Sequence, residues 1–287
     1  MTQQIIETIS EHHCFGGTQG FYRHPSSVIG LPMKFSVYSP PQVTQGQSKV
    51  PVLFFLAGLT ATEETFMIKA GAQRFAADHG IMLVTPDVSP RATGIEGATT
   101  DWDFGEGAGF YLDATEAPWA RYFQMETYIV DELRAIVTTH FAGDVTRLGI
   151  FGHSMGGHGA LTLALRHQDI FKSVSAFAPI AAPVKCAWGR QAFSRYLGND
   201  ETRWTQHDAS ALMSASRTPY PAGILVDQGL ADKFLAEQLL ADEFEEACKI
   251  AQQPLTLERH AAYDHGYYFI STFIEKHIAF HTKNLNA

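Results

Sequence analysis

The chain has 287 residues, 45% of them hydrophobic and 18% charged, with a formal net charge of −9. These values describe a folded protein able to bury a sizeable core rather than a disordered one, and the acidic balance argues against a polyanionic partner such as nucleic acid. No apolar stretch reaches the ~18 residues of a membrane span, the start MTQQIIETISEHH lacks the basic and apolar regions of a secretory leader, and Cys14, Cys186 and Cys248 are too few and too scattered for a disulfide framework, so a cytoplasmic protein without a membrane partner is expected.

In chain order, residues 28–38 are expected to add a strand at an edge of the sheet, and the polar, turn-rich 39–49 to connect it onward within one domain spanning 1–287. Residues 52–56 form the first fully apolar run, and 67–80 carry a helical pattern ending at Gly80, a residue suited to a left-handed helix end. A second apolar run follows at 81–85. Residues 89–119 are glycine-rich and aromatic with little periodicity, and a long excursion of that kind is often a functional loop. In 125–141 the residues Met125, Ile129, Val130, Leu133, Ile136 and Val137 share one helix face. Further apolar runs at 148–151, 173–177 and 224–227 alternate with helical patterns, including 234–252, and a last strand and loop precede a helix carrying Tyr268, Ile270, Phe273, Ile274 and Ile278. Strand–helix alternation predicts an α/β fold with a mostly parallel central sheet and helices on both faces. Ligands of such sheets gather beyond the carboxyl ends of the strands.

One such end reads Gly152-His153-Ser154-Met155-Gly156, a G-x-S-x-G motif between a strand and a helix. A nucleophile standing clear of a sheet needs a sharp turn, and side chains two residues to either side would collide there. The following helix directs unpaired N–H groups at the same point, so the Met155 N–H can stabilise an oxyanion. Serine needs a base, and in this arrangement the acid and the histidine follow later strands in that order. Asp232, in the loop after 224–227, and His265, after the last strand, meet that expectation. Asp227 and Asp264 are the rival acids and His260 the rival base; His153 and His158 are expected to fix the turn rather than react. The loop after 52–56, Ala57-Gly58-Leu59-Thr60, offers the Leu59 N–H as second oxyanion donor. His12-His13-Cys14 lacks a second ligand pair, and no phosphate-binding glycine motif is present, so neither a metal nor a cofactor is expected.

The segments GLTATEETF, KAGAQRFAADHGI, PDVSPR, GAGFYLDATEAPW, GHSMGGHGALTLAL, SVSAFAPI, WGRQAFSRYLG, DQGLADKFL and YDHGYYFISTFIEKHI together resemble the S-formylglutathione hydrolase (esterase D) family over nearly the whole chain and in the family's order. The resemblance implies an α/β-hydrolase fold. It also implies hydrolysis of S-formylglutathione to glutathione and formate, with side activity on short esters, and a homodimer. It carries the triad onto Ser154, Asp232 and His265 and the oxyanion donors onto Leu59 and Met155. Three departures bear on the substrate: Gly266 where relatives commonly have serine, and Ala182 and Ala187 where they commonly have asparagine and proline, all expected near the acyl pocket.

A formyl group needs a small acyl pocket and glutathione an open groove. Trp102, Phe110 and Trp119 are the candidate groove surfaces, and Lys69, Arg91, Arg121 or Lys185 the candidate cations for the glutathione carboxylates. The competing readings are a general carboxylesterase or acetyl or feruloyl esterase on the same fold, and a binding module that has lost its chemistry. The family often places cysteine where this chain has Ala61. Thiol alkylation with iodoacetamide is therefore expected to leave esterase turnover largely intact, and a strong loss under mild alkylation would show a reactive thiol at the site.

Overall fold

The computed structural model describes residues 5–44, 49–216 and 218–287. Their strands are β1 (Glu7–Cys14), β2 (Gly17–Pro25), β3 (Pro32–Ser39), β4 (Val50–Leu56), β5 (Met82–Pro86), β6 (Gly143–His153), β7 (Phe171–Phe177), β8 (Ile224–Gly229) and β9 (Leu255–His260). They form one sheet in the order β1-β2-β3-β5-β4-β6-β7-β8-β9. From β5 to β9 every neighbouring pair is parallel, while β1, β2 and β3 join antiparallel.

Every residue of β4 is buried, which for a strand with alternating side chains requires cover on both faces. The long helix Tyr267–Leu285 packs across β4, β6, β7 and β8 beside the helix Ala72–His79, and the helix Met155–Arg166 lies against β4, β6 and β7. The chain leaves β4 for β5 on one side and returns to β6 on the other. That reversal opens a crevice at the carboxyl ends of β4 and β6.

Several elements differ from the sequence expectation. The segment expected as an edge strand at 28–38 is β3, and it lies inside the sheet with β1 and β2 beyond it. Those two strands carry no apolar run: β1 is mostly exposed and charged, as suits a sheet edge, and the hairpin turns through Phe15 and Gly16, both at positive φ. The 67–80 pattern is two helices, Thr65–Lys69 and Ala72–His79, broken at Gly71 (φ 66°) and stopped by Gly80 (φ 63°). The 234–252 pattern divides at Leu240 (φ 53°). Part of 39–49 lies outside the described residues.

A buried polar chain fixes the last helix to the sheet. His281 Nδ1 lies 2.6 Å from Ser173 Oγ and its Nε2 2.8 Å from Ser175 Oγ. The same Ser175 hydroxyl lies 2.8 Å from His277 Nδ1, whose Nε2 lies 3.2 Å from Asp227 Oδ2. Burial pushes both imidazoles down in pKa, so their ring nitrogens depend on these hydroxyl and carboxylate partners. Lys276 Nζ adds a bond to Asp227 Oδ1 (2.9 Å) and one to Glu258 (2.8 Å). The cluster Asp227, Glu258 and His260 has the residue types of a metal site, and the lysine ammonium stands between its two carboxylates.

Burial alone would raise the Asp227 pKa, but the bonds and charges of His277 and Lys276 outweigh it and bring the carboxyl down to about 2 from 3.8. A depressed carboxyl stabilises the fold above its unfolded pKa and loses that contribution as pH falls through the folded value. Asp227→Asn is expected to lower unfolding free energy by about 3 kcal/mol near neutral pH by breaking a buried pair. Denaturant titrations of parent and variant should converge as pH falls from about 4 to about 2. A gap that stays constant across that range would refute this linkage.

Candidate active site

Ser154, between β6 and the helix Met155–Arg166, has φ 59° and ψ −119°, a conformation that L-residues rarely adopt and that costs roughly 1–3 kcal/mol. The turn closes because its flanks carry no side chains. A Cβ on Gly152 would lie 2.1 Å from the Gly156 carbonyl oxygen, and one on Gly156 would lie 1.9 Å from that of Leu56. The Ser154 N–H donates to the Phe177 carbonyl, and the Ser154 carbonyl accepts from His158 and Ile180. Backbone bonds from two neighbouring segments therefore hold the strained residue in place. Gly58 passes close by, where an added Cβ would sit 3.2 Å from Ser154 Cβ.

Ser154 and His265 line one cavity of about 340 Å³ at the sheet crevice. Asp232 stands behind the histidine: its Oδ2 is 2.5 Å from His265 Nδ1, and its Oδ1 accepts the Phe234 N–H at 2.9 Å. A carboxylate only accepts, so Nδ1 carries the proton and Nε2 is left as the basic nitrogen. The Ser154 hydroxyl makes no hydrogen bond within the described protein and opens into the cavity. Phe234 meets the His265 ring edge-on at 5.1 Å, and His153 lies against it at 4.4 Å.

The rival groups lie elsewhere. Asp227 binds the last helix, and His260 lies beside it, 3.4 Å away and stacked on Phe273. Asp264 is exposed and accepts the Gly266 N–H of its own loop. Burial drives His153 well down in pKa, helped by the neighbouring His265. Burial, with His207 nearby, takes His158 to about 3. Both are neutral packing groups of the turn.

Leu59 lines the cavity, and its N–H donates to no backbone or side-chain oxygen among the described residues. Met155 is the first residue of its helix, where an N–H has no partner in the preceding turn. The long loop 89–119 holds this region from behind: the Thr60 N–H donates to Gly107, Tyr111 Oη to the Ala57 carbonyl, and Arg91, gripped by Asp87 at 2.7 Å, to the Ala61 carbonyl.

Of the three aromatics expected on the groove, Trp102 alone lines the cavity and is 56% exposed. Phe110 and Trp119 are corrected to core residues. Phe110 packs near His158 and Phe193, and Trp119 packs edge-on to Phe104 (4.7 Å) and Tyr196 (5.7 Å). Apolar rings inside a compact loop gain more from mutual burial than from facing solvent. Ala182 is buried against a different cavity and Ala187 faces solvent, so neither reaches the space around Ser154. Gly266 caps the last helix and borders an adjoining cavity. Trp188, Phe234 and Tyr267, none of them among the expected groove residues, complete the walls; Trp188 meets Trp102 edge-on at 5.5 Å. Their proximity to DKF and HGY motifs was the available signal for the last two.

The chain matches the Esterase family model over residues 26–280. It is 47% identical to a mouse S-formylglutathione hydrolase across 98% of this chain and 99% of the relative. It is 49% identical to one from Arabidopsis thaliana across 98% of each. The solved structure of an S-formylglutathione hydrolase from Agrobacterium tumefaciens superposes with a TM-score of 0.93 at 45% identity, covering 97% of this chain and 99% of that one.

Replacing Gly156 with alanine puts a methyl carbon against backbone that has nowhere to move. Gly156→Ala is expected to lower stability by more than about 3 kcal/mol, measured by chemical denaturation. A variant unfolding with the parent would remove the steric account of the motif.

Proposed function

Because this chain belongs to the esterase family that contains the S-formylglutathione hydrolases, we propose that it hydrolyses S-formylglutathione to glutathione and formate, with side activity on short esters. The observation that carries the reading is the convergence of Ser154 and His265 on one cavity, with Asp232 2.5 Å behind the imidazole.

In this reading Ser154 Oγ attacks the thioester carbonyl carbon while His265 Nε2 takes its proton. The carbonyl oxygen gains negative charge and meets the N–H groups of Leu59 and Met155. The C–S bond then breaks, the imidazolium returns its proton to sulfur, and glutathione leaves a formyl ester on Ser154. A water then gives its proton to His265 and its oxygen to the formyl carbon. Formate departs as Ser154 is reprotonated. Asp232 accepts a hydrogen bond from the Nδ1–H throughout, which holds the ring in one tautomer and stabilises its charged form. No metal or cofactor enters the sequence of steps.

Gly58 packs against the Ser154 turn, and Trp102 and Trp188 also line the cavity, which supports a short acyl group. No described helix is long and apolar enough to cross a membrane. A cytoplasmic homodimer is the form this reading implies. Three unpaired cysteines support a reducing compartment.

Ser154→Ala is expected to reduce kcat by ~10⁴–10⁶, by comparison with triad knockouts in other serine hydrolases. Steady-state rates on S-formylglutathione and 4-nitrophenyl acetate test both levels of the reading. A variant within tenfold of the parent would reassign the nucleophile. A clear excess of kcat/KM for the aryl ester in the parent would make this a general carboxylesterase instead.

A further inference from the structure

The proposed leaving group carries two carboxylates and one ammonium, and the protein around it is strongly acidic, so a cation must meet the substrate locally. Four cations were candidates from the sequence, and three are otherwise engaged. Arg91 is held by Asp87 at 2.7 Å, Lys185 by Glu243 at 2.6 Å, and Arg121 stacks over Tyr122 at 4.7 Å. None of these three borders the cavity that holds Ser154 and His265.

Lys69 does. It is the last residue of the helix Thr65–Lys69 and lines the catalytic cavity. It also lines an adjoining cavity of about 580 Å³ bordered by Asp264, Gly266, Tyr267, Tyr268 and Ser271. Its ammonium stands 5.7 Å from the centre of the Tyr267 ring, and no described carboxylate pairs with it. Tyr267 is shared by both cavities, so the two spaces meet at this residue pair. Lys69 is the sole cationic side chain, among the described residues, on the wall of the catalytic cavity. Lys233 comes near, but it lies over the Phe234 ring and borders neither space.

We infer that Lys69 is the recognition cation for a carboxylate of the glutathione arm, which leaves the reaction centre past Tyr267 and enters the adjoining cavity. The inference rests on the thioesterase reading and adds a specificity-determining residue to it. A thioester under attack by Ser154 has its sulfur in the first cavity and a flexible peptide to accommodate outside it. The second cavity supplies the room. With Lys69 and Asp264 it also presents one charge of each sign, which suits the amino-acid end of the peptide better than a simple anion. The aromatic ring beneath the ammonium limits where it can point without neutralising it.

The test compares Lys69→Met, Lys69→Arg and Lys233→Met on S-formylglutathione and on neutral 4-nitrophenyl acetate. Lys69→Met is expected to lose at least tenfold more kcat/KM on the thioester than on the aryl ester, chiefly through KM. Lys69→Arg should recover most of that difference, whereas Lys233→Met, which makes the same change in net charge, should give less than a third of it. Equal losses on both substrates, or equal effects of the two methionine variants, overturn the inference. A second measurement needs no thioester turnover: S-methylglutathione should inhibit aryl-ester hydrolysis by the parent and do so at least fivefold more weakly in Lys69→Met. A parent that ignores S-formylglutathione but shows this inhibition pattern would defeat the thioesterase reading and leave the Lys69 site standing. A parent that hydrolyses the thioester with Lys69→Met indistinguishable would do the reverse.

Discussion

The backbone at Ser154 is bent into a conformation that costs energy, and much of the surrounding architecture serves to hold it there. The positive φ of this residue persists because the Phe177 carbonyl takes its N–H and because two segments donate to its own carbonyl. The space for the bend exists only because Gly152 and Gly156 place no carbon against the backbones of β4 and the helix. The same crowding sets Gly58, and with it the Leu59 N–H, beside the serine. The positions of the Ser154 side chain and of the Leu59 N–H thus follow from one close approach of two strand ends.

The histidine depends on a different anchor. His265 sits in a loop just before the helix Tyr267–Leu285, so the seating of that helix on the sheet determines where the imidazole falls. Two fully buried histidines of this helix, His277 and His281, share hydroxyls of β7 and the carboxylate at the end of β8. Sliding the helix by a turn would leave several buried polar groups without partners, each costing about 1–3 kcal/mol. Polar groups far from the cavity therefore limit where the His265 imidazole can stand. Asp232 closes the geometry from the β8 side, within 2.5 Å of the ring.

The loop 89–119 contributes in a third way. Phe104 and Trp119 pack on each other and on Tyr196, forming a small core. From that base its backbone and Tyr111 support Ala57 and Thr60, on either side of the Gly58-Leu59 turn. The loop acts chiefly as a buttress, and its exposed Trp102 is the part that faces the cavity.

By itself the sequence determined the alternation of buried strands and helices, and the serine turn, because both are local: apolar runs of fixed period and glycines at fixed offsets carry their own geometry. It also narrowed the candidate acid and base to a few residues, since these lie just past recognisable strand ends. β1 and β2 escaped it because neither carries an apolar run, β1 being exposed and β2 mixing glycine, threonine, glutamine and arginine with its buried aromatics. Phe110 and Trp119 were misread because composition does not reveal which way a ring in an irregular loop points. Only the tertiary structure decided that Asp227 belongs to Lys276 and His277 while Asp232 meets His265, and that Lys69, of four plausible cations, borders the cavity. Those pairings join segments tens to hundreds of residues apart, and distance in space between such segments is set by packing of the whole sheet rather than by any local pattern.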